Sequence, residues 1–320
     1  MAFIAARAGS GCRLEPRRWG DVTPLAQALQ ALQGLQLALP AWAFDAVKFT
    51  NGLVLLVVLF VPLERLFALR PQRALRQAWG TDIAYYFITS LLPSKLIVAT
   101  VALLLWLMHG FAPQGLFPWL AELPTAARFA VALLVAELGF YWGHRAMHAN
   151  RWLWRFHAVH HSAPTLDWLV NTRAHPADLV FTRLCGYLPL YLLGLAQPTG
   201  ETLDWVPLLI TLLASTWGYV LHANLRWPLA WLGKIVATPR FHHWHHAHQG
   251  TGGTQHSNYA ATLPLMDLIF GTYRQDGSAW PERYGTDEPV PAALLDQLMS
   301  PFMGRAPQVG DDDGSRAVKK

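Results

Sequence analysis

Apolar positions in this chain run in long blocks rather than in the narrow stripes of a soluble helical protein. The first block covers 49–67 and is broken late by Pro62 and Glu64. The second covers 82–109, interrupted by Pro93, Ser94 and Lys95, and the third covers 126–142. Two more, 178–198 and 203–221, are separated by Gln197-Pro198-Thr199-Gly200 and read as a helical hairpin. A bilayer crossing needs about twenty predominantly apolar residues, so each block is near that length. The block at 82–109 suits one tilted crossing or a hairpin. Ahead of these blocks, residues 24–42 alternate leucine with glutamine and alanine at helical spacing. That pattern fits an amphipathic helix lying on a membrane surface or packing against other helices. Residues 1–23 are irregular, 110–125 form a Pro/Gly-rich loop, and the chain turns polar and proline-rich from Gly271. Residues 304–320 have the composition of a disordered tail.

These elements predict an all-α integral membrane protein with about four to five transmembrane or re-entrant helices. Three regions follow: an N-terminal extension with the amphipathic helix (1–47), a membrane-embedded domain (48–275), and a polar, partly disordered C-terminal tail (276–320). Composition agrees. Hydrophobic residues make up 53% of the chain and charged residues 14%, against about 25% charged in an ordinary soluble domain. Fifteen tryptophans and nine tyrosines suit aromatic belts at the two bilayer surfaces.

Charge adds orientation. The net charge of +5 is not arranged as a basic stripe interleaved with aromatics, so nucleic acid is not the expected partner. Arginines flank the apolar blocks instead, where anionic headgroups meet them. Arg65, Arg70, Arg73 and Arg76 belong in the cytoplasm by the positive-inside rule. If 82–109 crosses once and 126–142 crosses back, the chain returns to the same side, where Arg145, Arg151 and Arg155 agree with it. Arg7, Arg13, Arg17 and Arg18 then lie outside unless 24–42 also crosses. Cys12 and Cys185 are the only cysteines, which predicts neither a disulfide framework nor a thiolate metal site. The first twenty residues lack the apolar core of a signal peptide, so no cleaved signal is expected.

The chemistry lies in the histidines. Thirteen of the fourteen fall between His144 and His256. Eight form three clusters, His144-x-x-x-His148, His157-x-x-His160-His161 and His242-x-x-His245-His246. Spacings of three and four place side chains on one side of a helix about a turn apart, where two neutral imidazoles can share a metal ion. Three clusters supply too many donors for one ion, so two metals are expected. Imidazole suits zinc, copper, iron and nickel. Soluble di-iron bundles use glutamates with Glu-x-x-His motifs, but Glu137 is the only acid inside the third block. The ligands are therefore expected to be nearly all histidine, with carboxylates one step back to orient them and offset the charge. Asp167, Asp178 and Asp267 are candidates for that role, each otherwise an ordinary cap or surface charge.

At these residues the chain, over about 80–275, resembles the fatty acid hydroxylase/sterol desaturase superfamily of integral-membrane non-haem di-iron oxygenases. The matching stretches are Tyr141-Trp-Gly-His-Arg-Ala-Met-His148, Trp154-Arg-Phe-His-Ala-Val-His-His-Ser162, Arg173-Ala-His-Pro176, His222-Ala-Asn224, Thr238-Pro-Arg-Phe-His-His-Trp-His-His246, Asn258-Tyr259 and Phe270-Gly-Thr-Tyr273. The resemblance implies a cytosolic histidine-rich helical cap around two iron ions. As metal ligands it implies His144, His148, His157, His160, His161, His242, His245 and His246, with His222 at a further position. His175 matches another family histidine, either a ligand or a hydrogen-bonding residue near the site. Asn258 and Tyr259 join the acids as supporting candidates. Many relatives carry one more histidine four residues before the His222 equivalent; here that residue is Gly218. His243 stands about 100° around a helix from His242 and is expected to face elsewhere and be dispensable, as are His248 and His256. His109 is expected at a membrane interface.

The implied activity is activation of O₂, as co-substrate, to hydroxylate or desaturate a C–H bond of a lipid such as a fatty acyl chain or sterol. No flavin, haem or nucleotide motif is present, so electrons come from an external donor such as a ferredoxin, cytochrome b5 or a reductase. The expected location is the inner or plasma membrane of a bacterium, or the endoplasmic reticulum of a eukaryote, with the site facing the cytoplasm. The rivals are a desaturase or other lipid oxidation on the same metals, a non-catalytic relative, and a non-enzymatic zinc or copper membrane protein such as a transporter. A transporter places its ligands near the bilayer midplane, whereas these clusters fall at the ends of apolar blocks.

Overall fold

Long runs of Leu, Val, Ala and Ile can satisfy their own backbone polar groups within hydrocarbon only as helix, and helix is what they form. The computed structural model describes residues 34, 36–108, 115–196, 205–227, 230–248, 256–275 and 279–303. Among them there is no strand, only the isolated bridges Ala68–Leu225 and Ala247–Tyr284. The helices are α1 (Ala41–Leu66), α2 (Trp79–Met108), α3 (Thr125–Ala149), α4 (Arg151–His161), α5 (Pro176–Leu193), α6 (Trp205–His222), α7 (Pro239–His245), α8 (Leu265–Ile269) and α9 (Leu294–Met303). Short 3-10 turns occur at Pro118–Glu122, Trp168–Thr172 and Ala230–Lys234. The chain divides into two compact units, 1–52 and 53–320, with the division point inside α1. In the first unit, Lys48 pairs with Asp45 at 2.7 Å.

Four helices, α1, α2, α3 and α6, are long and apolar enough to cross a bilayer. The second apolar block is a single helix rather than a hairpin, because Pro93 lies inside α2 without ending it. The hairpin expected of 178–198 and 203–221 is seen in α5 and α6, which share a core through Leu190, Val206 and Ile210 and return the chain to His222. Helix α5 is not among the four, since its first half carries Asp178, Thr182 and Arg183. Most of the amphipathic stretch 24–42, the tail 304–320 and His109 lie outside the described residues.

Helices α3 and α5 approach closely through small residues. A Cβ on Gly139 would overlap the Cys185 carbonyl oxygen, and one on Gly143 would lie 2.8 Å from Cys185 Cβ. Gly139-x-x-x-Gly143 thus supplies the bare surface that lets two backbones meet in a membrane helix pair. Toward one end of the bundle Ala132, Ala136, Leu190, Val206 and Ile210 form an apolar core. The outer faces of α1, α2 and α6 expose Val58, Leu59, Val98, Leu103, Leu208 and Leu212. Such faces are lipid-facing surface in a membrane protein rather than a defect of packing.

The opposite end is polar. α3 and α6 finish there in His148 and His222, respectively one residue before and at the helix terminus. Asn150 caps α4 through the N–H groups of Trp152 and Leu153, turning the chain within one residue. Thr238 caps α7 with Pro239 at its first position, the usual start signal of a helix. The segment after 278, expected as a polar tail, contributes helix α9 instead. It packs on α4 through Phe302 against Phe156, with ring centroids 5.2 Å apart. Leu294, Leu298, Pro301 and Phe302 follow helical spacing inside a stretch whose average polarity hides them.

Candidate metal centre

The fold brings nine of the ten candidate histidines together as two adjacent groups. His144, His148, His157, His161 and His245 form one, and His160, His222, His242 and His246 the other. Within each group the nearest ring nitrogens all lie within 4.8 Å of one another. All nine are buried. The groups abut where the His161 and His246 rings stack at 4.3 Å between centroids.

Five of the nine are oriented by a fixed oxygen on Nδ1. His144 Nδ1 donates to the Tyr259 carbonyl at 2.7 Å, and His157 Nδ1 to Asp178 Oδ2 at 2.8 Å. His160 Nδ1 donates to the Arg173 carbonyl at 2.9 Å, His222 Nδ1 to the Gly218 carbonyl at 2.7 Å, and His245 Nδ1 to the Ser257 carbonyl at 2.8 Å. A carbonyl or carboxylate oxygen can only accept, so each of these Nδ1 atoms carries the proton and each Nε2 is a bare lone pair. Yet His144 Nε2 and His157 Nε2 are 3.1 Å apart, and so are His160 Nε2 and His222 Nε2. Two lone pairs at that distance repel. His148, fully enclosed, has no partner on either nitrogen.

A shared cation resolves both observations. Two imidazoles on one ion at about 2.0–2.1 Å leave their nitrogens roughly 2.9–3.4 Å apart, which is the spacing found. Acidity points the same way. Burial, followed by the charge His157 would carry, pulls His160 down to about 4. Burial and the neighbouring imidazoles pull His161, His242, His245 and His246 well below their usual range. These rings are therefore neutral and ligand-competent at physiological pH. Asp178 is pushed up by burial but pulled down further by His157, and stays ionised.

The supporting groups divide into three sets. Asp178 touches a histidine directly. Asp267 acts through the backbone: its Oδ1 accepts from Tyr259 N at 2.9 Å and its Oδ2 from Ala260 N at 2.8 Å. Glu137 Oε1, from α3, accepts from the N–H groups of Ala261 and Thr262 at 2.7 and 3.0 Å. Together they fix the loop whose Ser257 and Tyr259 carbonyls orient His245 and His144. Tyr259 contributes its carbonyl to His144, not its hydroxyl. Asn258, at φ 60°, ties the Phe241 and Arg274 carbonyls together at 2.7 Å each, just before His242. Asp167 is two steps removed. It takes both Arg76 Nε at 2.6 Å and Nη2 at 2.8 Å, and Asp82 bridges Arg76 to Arg173 at 2.6 Å on each side. That network holds Arg173, whose carbonyl orients His160.

His175 is not brought to either group. Its Nδ1 accepts from Ala177 N as the cap of α5, and its Nε2 donates to the Leu298 carbonyl at 3.0 Å. His243 faces away from both groups, as its spacing predicts, but it is not dispensable scenery. It is 1% exposed, with Nδ1 on Tyr284 Oη at 2.8 Å and Nε2 on the Ala223 carbonyl at 3.2 Å. His248 pairs with Asp287 at 2.8 Å outside the centre. The oxygens from Arg173, Gly218 and Ser257 left no trace in the sequence, because every residue has a carbonyl. Asp82 could have been suspected as an acid opening an apolar helix.

Comparison with known proteins finds similarity over part of the chain. Residues 129–272 match the fatty acid hydroxylase family. The match covers 144 of the 320 residues. Ornithine lipid hydroxylase OlsE of Rhizobium tropici is 35% identical over 185 residues, covering 58% of this chain and 53% of the relative. Methylsterol monooxygenase 2-2 of Arabidopsis thaliana is 29% identical over 157 residues, covering 49% and 56%. A very-long-chain aldehyde decarbonylase of Oryza sativa subsp. indica is 32% identical over 134 residues, covering 42% and 47%. The chain thus spans about half the length of these curated relatives. No solved structure matches it. With four spanning-length apolar helices among the described residues, the chain is an integral membrane protein.

Proposed function

We propose that this protein is a membrane-bound non-haem di-iron oxygenase that hydroxylates a C–H bond of a lipid. The observation that carries the reading is the pairing of Nε2 lone pairs at 3.1 Å, which a shared cation reconciles. The donor set suits iron: neutral imidazoles with no thiolate. His144, His148, His157, His161 and His245 would hold one ion, and His160, His222, His242 and His246 the other. Two bound irons would supply reductive activation of O₂, with overall balance RH + O₂ + 2e⁻ + 2H⁺ → ROH + H₂O. The two electrons come from an external donor at the cytoplasmic face, of ferredoxin, cytochrome b5 or reductase type.

The chain's own residues do the rest. Asp178 and the Tyr259, Arg173, Gly218 and Ser257 carbonyls lock five imidazoles with Nε2 inward, so the centre is organised before metal arrives. Asp178 offsets part of the metal charge that neutral ligands leave. The apolar helices below the cap exclude water and accept an acyl chain from the bilayer. The four-membered group has one histidine fewer, and Gly218 stands where many relatives add another. An ion held by these four histidines would have the smaller set of protein ligands and so be the more open to O₂.

The test is isotopic. Protein purified in detergent is loaded with ferrous iron, reduced, and exposed to ¹⁸O₂ with a total lipid extract. One ¹⁸O atom per product lipid is expected. No oxygen uptake and no labelled lipid, with two irons bound, would contradict the reading. An alkene product with label only in water would place it among desaturases.

A further inference from the structure

Helix α9 reverses the burial pattern of a soluble helix. Leu295, Met299, Phe302 and Met303 fall within one arc at about 100° per residue. That arc points outward, with Leu295 69% exposed and Met303 66%. The opposite face holds Gln297, only 3% exposed, whose Nε2 donates to the Pro291 carbonyl at 2.7 Å. An apolar face turned out while an amide is turned in marks a surface that meets something other than water.

The position of α9 says what it meets. Its Leu298 carbonyl accepts from His175 Nε2 at 3.0 Å, at the start of α5. Helices α3 and α5 run antiparallel, and a Cβ on Gly143 would lie 3.6 Å from Thr182 Cα. Gly143 stands six residues before the end of α3, and Thr182 six after the start of α5. Those two ends are therefore level. Helix α3 is one of the four spanning-length helices, so α9 lies where a crossing helix leaves the bilayer, at the rim of the lipid-facing surface.

The neighbouring residues on α4 suit such a boundary. Phe302 packs on Phe156 and lies 5.6 Å from the His175 ring. One turn before Phe156, Trp152 is exposed, with the Arg155 guanidinium 4.2 Å from its ring centre. Arg151 beside it is exposed. The same pairing recurs near the end of α3, where Arg145 lies 5.2 Å from the ring of exposed Trp142. Tryptophan and arginine at the end of a crossing helix belong at headgroup level, the ring at the acyl boundary and the cation on phosphate.

We propose that α9, with Trp152 of α4, is an in-plane membrane-binding surface that seats the histidine cap on an anionic bilayer. Its apolar arc enters the headgroup–acyl boundary, and Arg151 and Arg155 meet lipid phosphates. Through the Leu298–His175 bond the same seat fixes the start of α5, three residues from Asp178. The surface is independent of which metal the cap holds and of the oxygenase reading.

The test is electron paramagnetic resonance on the full-length protein in nanodiscs. A Cys12→Ala, Cys185→Ala background takes one nitroxide through Met299→Cys or, on the flank of the helix, through Asp296→Cys. The discs are phosphatidylcholine alone or with roughly one-third phosphatidylglycerol. Depth is read from collisions with O₂, which concentrates in hydrocarbon, against collisions with a water-soluble nickel chelate. In anionic discs the label at 299 should sit about 5–10 Å below the phosphates, with the label at 296 nearer water. Nickel contact at 299 should rise about twofold or more in neutral discs. Arg151→Glu combined with Arg155→Glu should bring the anionic discs to that same level. Arg151→Gln with Arg155→Gln serves if the glutamate variant does not fold. Free nickel access at 299 in anionic discs would overturn the proposal. So would low contact with both reagents, the mark of a protein partner or a second copy on this face, or equal depth in neutral and anionic discs.

Discussion

His148 and His243 are both buried, and the difference in their partners separates ligand from scaffold. His148 has nothing on either nitrogen; His243 has a partner on both. His243→Ala should therefore lower stability by about 1–3 kcal/mol, the cost of orphaning buried hydrogen-bond groups, with metal content unchanged. Thermal unfolding alongside metal analysis checks this. His160→Ala should do the opposite, abolishing turnover and lowering bound metal from two ions toward one while membrane insertion persists. Asp178→Asn should weaken metal binding by about 10–100-fold, the usual effect of losing such a support, measurable by chelator competition. Spacing was enough to nominate eight of the nine grouped histidines, and the family resemblance added His222. It did not reject His175, because whether a ring reaches a metal or caps a helix depends on a tertiary neighbour, here the Leu298 carbonyl.

At the scale of elements, apolar block length predicted α2 and α6 to within about three residues, while α1 begins eight residues before its block and α3 ends seven after its own. It placed α5 too, but gave no sign that the half carrying Asp178 serves the site. It also missed α9, whose apolar positions are diluted by proline and acid. The α3–α5 contact depends on missing side chains, and Gly143→Leu should drive the helices apart, so that the variant no longer elutes as a folded, metal-loaded species in size-exclusion chromatography. The cap helices respond to acid together. Unfolded, His160 titrates near 6.5, whereas folded it titrates at about 4. Between those values the unfolded chain binds the extra proton, so acidification favours unfolding. The contribution is complete above pH 6.5 and is lost as pH falls toward 4. Metal-free protein should show a falling Tm across that window, and bound metal should shift the fall to lower pH.

At the scale of the molecule, the unit 53–320 is a lipid-facing bundle closed at one end by a histidine cap. The bundle was readable in the sequence because hydrocarbon permits only helix. The two separate groups were not, since the clusters interleave: His160 joins His222, His242 and His246, while its neighbour His161 joins His144, His148, His157 and His245. Only the folded arrangement of α3, α4, α6 and α7 sorts them. The central claim is that these groups hold two irons. The most direct measurement is anaerobic titration of the metal-free protein with ferrous iron, followed by Mössbauer spectroscopy. The account predicts saturation at two irons per chain in two distinguishable nitrogen-rich environments, one with five histidines and one with four. Saturation at a single iron, or no iron retained against a weak chelator, would contradict it.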